Sequence, residues 1–149
     1  MDSAATGFAL RIEQPIAAPI EKVYDAFTKA ETLARWFAPT EDYLIVVTEA
    51  DVRVGGRYAL EMRHKGGNVH ELTGTYRIVE APHRLAFTFK WTGKPERGDS
   101  LVTVTLSPTP TGTSLVLVHE QLPDASMVQA HQGGWGGSLP RLVALLESK

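Results

Sequence analysis

From residue 57 onward, short stretches of the chain alternate apolar and polar residues, and each stretch ends at a turn rich in Gly or Pro. Tyr58, Leu60 and Met62 alternate with Arg57, Ala59, Glu61 and Arg63, and Lys65-Gly66-Gly67-Asn68 turns the chain. His70, Leu72, Gly74, Tyr76 and Ile78 share one face against Glu71, Thr73, Thr75 and Arg77, up to the turn at Ala81-Pro82-His83. Leu85, Phe87, Phe89 and Trp91 alternate with Ala86, Thr88 and Lys90 before a charged loop at 93–98. Val102, Val104 and Leu106 oppose Thr103 and Thr105; after a turn at 108–112, Leu115, Leu117 and His119 align. Successive strand side chains point to opposite faces, so this pattern predicts a run of hairpins with one apolar face. Such a run makes an antiparallel sheet with one side in water and the other needing a cover.

The flanks supply the cover. Phe8-Ala9-Leu10-Arg11-Ile12-Glu13 predicts a first strand, stopped by Pro15 and Pro19. Pro19 suits the first turn of a helix. Ile20, Val23, Tyr24 and Phe27 recur at helical spacing, and so do Leu33, Trp36 and Phe37 ahead of Pro39. Residues 28–30 interrupt the stripe, which predicts two short helices. Residues 43–52 predict a strand whose contiguous apolar run hides its inward face, followed by a Gly55-Gly56 turn. Residues 124–148 predict a long helix capped by Asp124, with Met127, His131, Trp135, Leu139, Leu142 and Leu146 in one stripe. Gly133, Gly134, Gly136 and Gly137 each cost about 1 kcal/mol against Ala there, and Pro140 follows, so an irregularity is expected near 136–140. Glycines also permit close backbone approach. The expected fold is α+β: a curved antiparallel sheet of about seven strands, in the order β-α-α-β6-α, wrapped on a long C-terminal helix as a single domain over 1–149.

Charge and composition exclude several functions. The net charge is −2 and the Lys and Arg residues are scattered, which gives no basic stripe for nucleic acid. There is no cysteine, so disulfide scaffolds, thiolate catalysis and Cys-based zinc sites are excluded. No apolar run approaches the roughly 20 residues of a membrane span, so no membrane insertion is expected. Met1 to Gly7 carry no basic-then-apolar leader, and a cytoplasmic protein is expected. Phosphate-binding loops, dinucleotide fingerprints and nucleophile elbows are absent, and no cofactor is implied.

The residues assigned to inward faces are Trp36, Tyr58, Met62, His70, Leu72, Tyr76, Phe87, Phe89, Trp91, Leu117, His119, Met127, His131 and Trp135. They either fill the core or line a pocket for an apolar ligand, with a few polar groups to orient it. Tyr58, Tyr76 and Trp135 carry polar tips that need partners when buried. His70, His119 and His131 admit ligand orientation, acid–base chemistry or plain structural bonding. The pairs His70-Glu71 and His119-Glu120 lack the second His of a helical zinc motif, so no metal is expected. Glu49 and Asp51 read as a solvated edge.

Five segments carry a resemblance: residues 18–28 (APIEKVYDAFT), 33–37 (LARWF), 54–58 (VGGRY) and 74–85 (GTYRIVEAPHRL), and His131-Gln132-Gly133-Gly134-Trp135 with Leu139 and Leu142. In this order they resemble the START-related helix-grip (SRPBCC) superfamily, and within it the family named after the activator of heat-shock protein 90 ATPase homologues. The resemblance implies a sheet gripping the final helix with a cavity between them, and it places His131 first among the polar candidates. It does not imply an activity, because one fold hosts many functions.

The function expected first is binding of a hydrophobic small molecule: a lipid, an isoprenoid, a polyketide or an aromatic metabolite. The alternatives are a cyclase, dehydratase or hydrolase using the same cavity with His or Tyr acid–base groups, and a chaperone-associated interaction module. No catalytic residue is assigned. A monomer or a homodimer is compatible with the exposed sheet edges.

Overall fold

The computed structural model describes residues 8–147. The seven amino-terminal residues, which bear on the expected absence of a leader, and Ser148, expected in the last helix, lie outside the described residues. The elements are β1 (Phe8–Ile16), α1 (Ile20–Thr28), α2 (Ala30–Trp36), β2 (Tyr43–Ala50), β3 (Arg57–His64), β4 (Val69–Glu80), β5 (Arg84–Trp91), β6 (Asp99–Thr109), β7 (Gly112–Leu122) and α3 (Ala125–Glu147). All seven strands form one curved antiparallel sheet in the order β1-β7-β6-β5-β4-β3-β2. Consecutive strands β1 and β2 therefore stand at opposite edges, and α1 and α2 carry the chain across between them.

Helix α3 packs against β1 and β7 and against both short helices, and α2 packs against β2. This layer covers the apolar face of the sheet. The core runs through Leu60, Leu72, Leu85, Val102, Leu115 and Leu117 from the strands and Trp135, Leu139 and Leu142 from α3, all nearly inaccessible to water. Burying one such side chain contributes about 1.5–3 kcal/mol. That term decides the fate of α3, which runs helical without interruption through its four glycines and Pro140. The propensity deficit of the glycines, roughly 4 kcal/mol together, is outweighed by the buried face of the helix. Asp124 caps it as expected, its Oδ1 accepting from Met127 N at 2.9 Å and Ser126 Oγ at 2.7 Å.

Three local expectations are corrected. Pro15 does not stop β1, which continues to Ile16; β1 is an edge strand, where a missing amide hydrogen is tolerated. The second strand ends at Ala50, and Asp51 beyond it pairs with Arg53 at 2.8 Å. In β4 the register shifts between Tyr76 and Ile78, so Val79, not Ile78, packs on the core opposite Leu85. A bulge of this kind reverses which face the following residues occupy. In β2 the hidden parity resolves with Ile45 buried and Tyr43 and Val47 packed on the core.

Gly74 in β4 has a steric role. A Cβ there would stand 2.0 Å from Thr88 O and 2.4 Å from the Tyr58 ring. Its absence lets the Tyr58 hydroxyl donate to Thr88 O at 2.6 Å.

Candidate functional site

Between the β2–β5 half of the sheet and the first half of α3 lies a cavity of about 280 Å³ that reaches the surface. Its walls are mostly apolar, with aromatic rings from Phe37, Tyr43, Phe89, Trp91 and Trp135. Seven of the residues assigned inward from the sequence line it: Met62, His70, Phe89, Trp91, Met127, His131 and Trp135. Tyr58, Tyr76 and Phe87 surround a separate hollow of about 20 Å³, room for a single water. Trp36, Leu72, Leu117 and His119 line neither space and are buried in the core. The Trp36 indole donates to Ala26 O at 2.9 Å, which ties α2 to α1.

Two buried histidines stand next to each other beside the cavity, their ring centres 4.7 Å apart. An indole N–H can only donate, so each ring nitrogen it reaches is an acceptor. Trp135 Nε1 donates to His119 Nδ1 at 3.1 Å. His119 therefore carries its proton on Nε2, which donates to Ser100 Oγ at 2.7 Å; Ser100 in turn donates to Phe89 O at 3.2 Å. Trp91 Nε1 donates to His131 Nε2 at 3.1 Å, and His131 Nδ1–H donates to Met127 O at 2.8 Å. Both rings are neutral with both nitrogens engaged. Burial drives His119 down to about 3, with His131 adding to the shift. Burial also lowers His131, against the pull of its bond to Met127 O, and Arg97 lowers it further.

This arrangement leaves His119 and His131 no free lone pair for a substrate proton or a metal. Among the described residues no group of three or more His, Cys, Asp or Glu side chains is placed to hold a metal ion. His70 differs. It lines the cavity half-buried, and its Nδ1 is shielded from water without a hydrogen-bond partner. Desolvation lowers its pKa, and the charges of Lys94, Arg97 and His64 act in the same direction. In the hollow, burial pushes the Tyr76 hydroxyl up to about 12, with Tyr24 and Asp51 adding to it.

The cavity also has walls that the sequence pattern did not single out. Phe37 and Pro39 come from the connection after α2 and Tyr43 from the start of β2; Ala130, Gly134 and Ser138 come from α3; Arg97 comes from the 3-10 turn Pro95–Arg97 in the β5–β6 loop. Ala130, Gly134 and Ser138 stand three residues after Met127, His131 and Trp135, a helical spacing available in the sequence. Arg97 has none, because its approach to Trp91 depends on the loop. Only one of the four α3 glycines meets close backbone: a Cβ on Gly137 would stand 2.2 Å from Pro39 O, whereas on Gly133, Gly134 or Gly136 it would meet nothing within 4 Å.

The family model described as "Activator of Hsp90 ATPase homolog 1-like protein" matches residues 17–147. The chain belongs to this family. A crystal structure of a protein from Chromobacterium violaceum has the same fold with a TM-score of 0.88 and 34% identity, covering 95% of this chain and 98% of its own. An AHSA1-like protein from Aeromonas hydrophila, solved by NMR, is 30% identical at a TM-score of 0.77, with 93% and 92% covered. An AHSA1 protein from Silicibacter pomeroyi is 26% identical at 0.81, with 93% and 97% covered. No curated protein matches the chain. The helix-grip architecture expected from the sequence is thus the architecture of this AHSA1-like chain. No helix among its described residues is long and apolar enough to cross a membrane.

Proposed function

We propose that this AHSA1-like chain binds a compact apolar small molecule in the cavity between the sheet and α3. The observation that carries the proposal is the unfilled space beside Gly134. A helix interior favours Ala over Gly by about 1 kcal/mol, and a methyl group would fit there without contact. At Gly134, unlike at the exposed Gly133 and Gly136, that free space belongs to the cavity, where an occupant would use it. The aromatic walls suit an apolar body, as in most ligand pockets. Size limits the occupant. At the ~30 Å³ that each water takes in the liquid, 280 Å³ holds about nine heavy atoms. This favours the small aromatic or short aliphatic members of the ligand classes over a long-chain lipid buried whole.

Acid–base catalysis in this cavity would have to use His70 or Tyr43, because the nitrogens of the two deeper histidines are already engaged. The test is native mass spectrometry of gently purified protein, followed by denaturation to identify what is released. A stoichiometric small passenger is the expected result. A clean apo mass that a panel of small aromatic and short-chain metabolites leaves unchanged would overturn the proposal.

A further inference from the structure

Arg97 is the one Arg, Lys, Asp or Glu among the cavity-lining residues. It comes from the short 3-10 turn in the β5–β6 loop and is half-buried. Its guanidinium carbon lies 5.3 Å above the centre of the Trp91 ring, which is itself held by the bond to His131. Stacking on an indole fixes the guanidinium plane without using its N–H fork. No carboxylate among the described residues takes up that fork: the neighbouring acids Glu96 and Asp99 are exposed and form no ion pair with Arg97. Across the same region His70 Nδ1 has no partner, and the charged groups acting on His70 are Lys94, Arg97 and His64, all cationic when charged. A partly desolvated cation without a counter-charge, beside an apolar cavity, is incomplete on its own. The missing group is a single negative charge with planar, two-oxygen geometry, since one guanidinium balances one carboxylate and binds it through two parallel N–H···O bonds.

We propose that the occupant of the cavity is a compact carboxylic acid bound as its anion, with its apolar body against Phe89, Trp91 and Trp135 and its carboxylate on Arg97. The assignment rests on the cavity-binding proposal and adds the chemical class to it. Phosphate esters fit less well, because a second charge would find no second cation in the lining.

The test compares benzoate with benzamide, two probes of equal heavy-atom count that fit the size the cavity holds and differ in charge. Each is titrated by isothermal calorimetry at pH 7 into wild type, Arg97→Gln and Arg97→Lys. Wild type should bind the acid roughly tenfold or more tightly than the amide, the range of a charge-assisted hydrogen bond. Arg97→Gln should bring the two probes within about threefold, chiefly by weakening the acid, and Arg97→Lys should keep part of the preference because it keeps charge but not the fork. A thermal unfolding transition like that of wild type shows that each variant is folded. Equal binding of acid and amide to wild type would overturn the carboxylate assignment and leave the cavity proposal standing. A preference that survives in Arg97→Gln would overturn the role of Arg97. Binding of neither probe would remove the cavity proposal and this assignment with it.

Discussion

Gly134 stands in the middle of α3, lines the cavity, and has nothing within 4 Å of where a Cβ would sit. Gly134→Ala should therefore gain most of the helix-propensity difference, about 0.5–1 kcal/mol. For a chain of this length that raises Tm by about 1–4 °C. Gly134→Leu adds four carbons, which at ~30 Å³ per heavy atom occupy about two-fifths of the 280 Å³. It should keep or raise stability and lower affinity for a cavity ligand at least tenfold. Two neighbours serve as controls. Gly133 is exposed with open space at its Cβ, so Gly133→Ala should stabilise without touching affinity. Gly137→Ala would place a Cβ 2.2 Å from Pro39 O and should destabilise by about 1–3 kcal/mol. Differential scanning calorimetry reads the first quantity and titration of benzoate the second. A destabilised Gly134→Ala would show that packing alone requires glycine there. A stable Gly134→Leu with wild-type affinity would show that ligand binds elsewhere.

Stability should depend on pH through the two deep histidines. Folded His119 takes its proton only near pH 3, whereas an unfolded His takes it near 6.5. Stability is then complete above pH 6.5 and falls as the pH drops towards 3, by about 1.4 kcal/mol per unit; His131 acts with the same sign. Urea denaturation should show a loss of about 2 kcal/mol between pH 6.5 and 5, and coincident curves would mean that His119 is not held neutral. Gly74→Ala should cost about 2 kcal/mol or more by pushing β5 and the Tyr58 ring away, and an unchanged Tm would show that the strands yield freely. Trp91→Phe removes the donor to His131 Nε2, so NMR titration should find the His131 pKa raised; an unmoved value would contradict the tautomer assigned to it.

The hairpin run was readable because a period of two survives wherever one face is wet, and the α3 stripe was readable for the matching reason at period 3.6. The exceptions are places where a single backbone event changes parity. The bulge at the end of β4 exchanges Ile78 for Val79, and the unbroken apolar run in β2 conceals that Tyr43 faces the cavity. Likewise, His119 and His131 were readable as inward. Their role was not, because it depends on indoles that arrive from elements 16 and 40 residues distant in sequence. Arg97 in its charged loop has the appearance of ordinary solvated charge until the fold brings the loop over Trp91.

Within one turn of α3, residues 131 to 135 do three separate things. His131 receives the indole of Trp91 from β5, and Trp135 gives its own indole to His119 on β7. The helix therefore both accepts from and donates to the sheet through two Trp–His bonds of opposite direction. A buried indole needs an acceptor, and a neutral imidazole supplies one while remaining an aromatic surface, as the contact of Phe89 with both rings shows. Such bonds fix separation as well as attraction, because a Trp–His pair at 3.1 Å can close by only a few tenths of an ångström. Gly134 then leaves the space beside this bracing empty. Apolar residues at the two His positions would let the helix settle onto the sheet and close the cavity, whereas two rigid polar contacts hold it open. If the cavity binds a carboxylic acid as proposed, the histidines would act by keeping the walls apart, and the loop that carries Arg97 would supply the group that meets the ligand's charge.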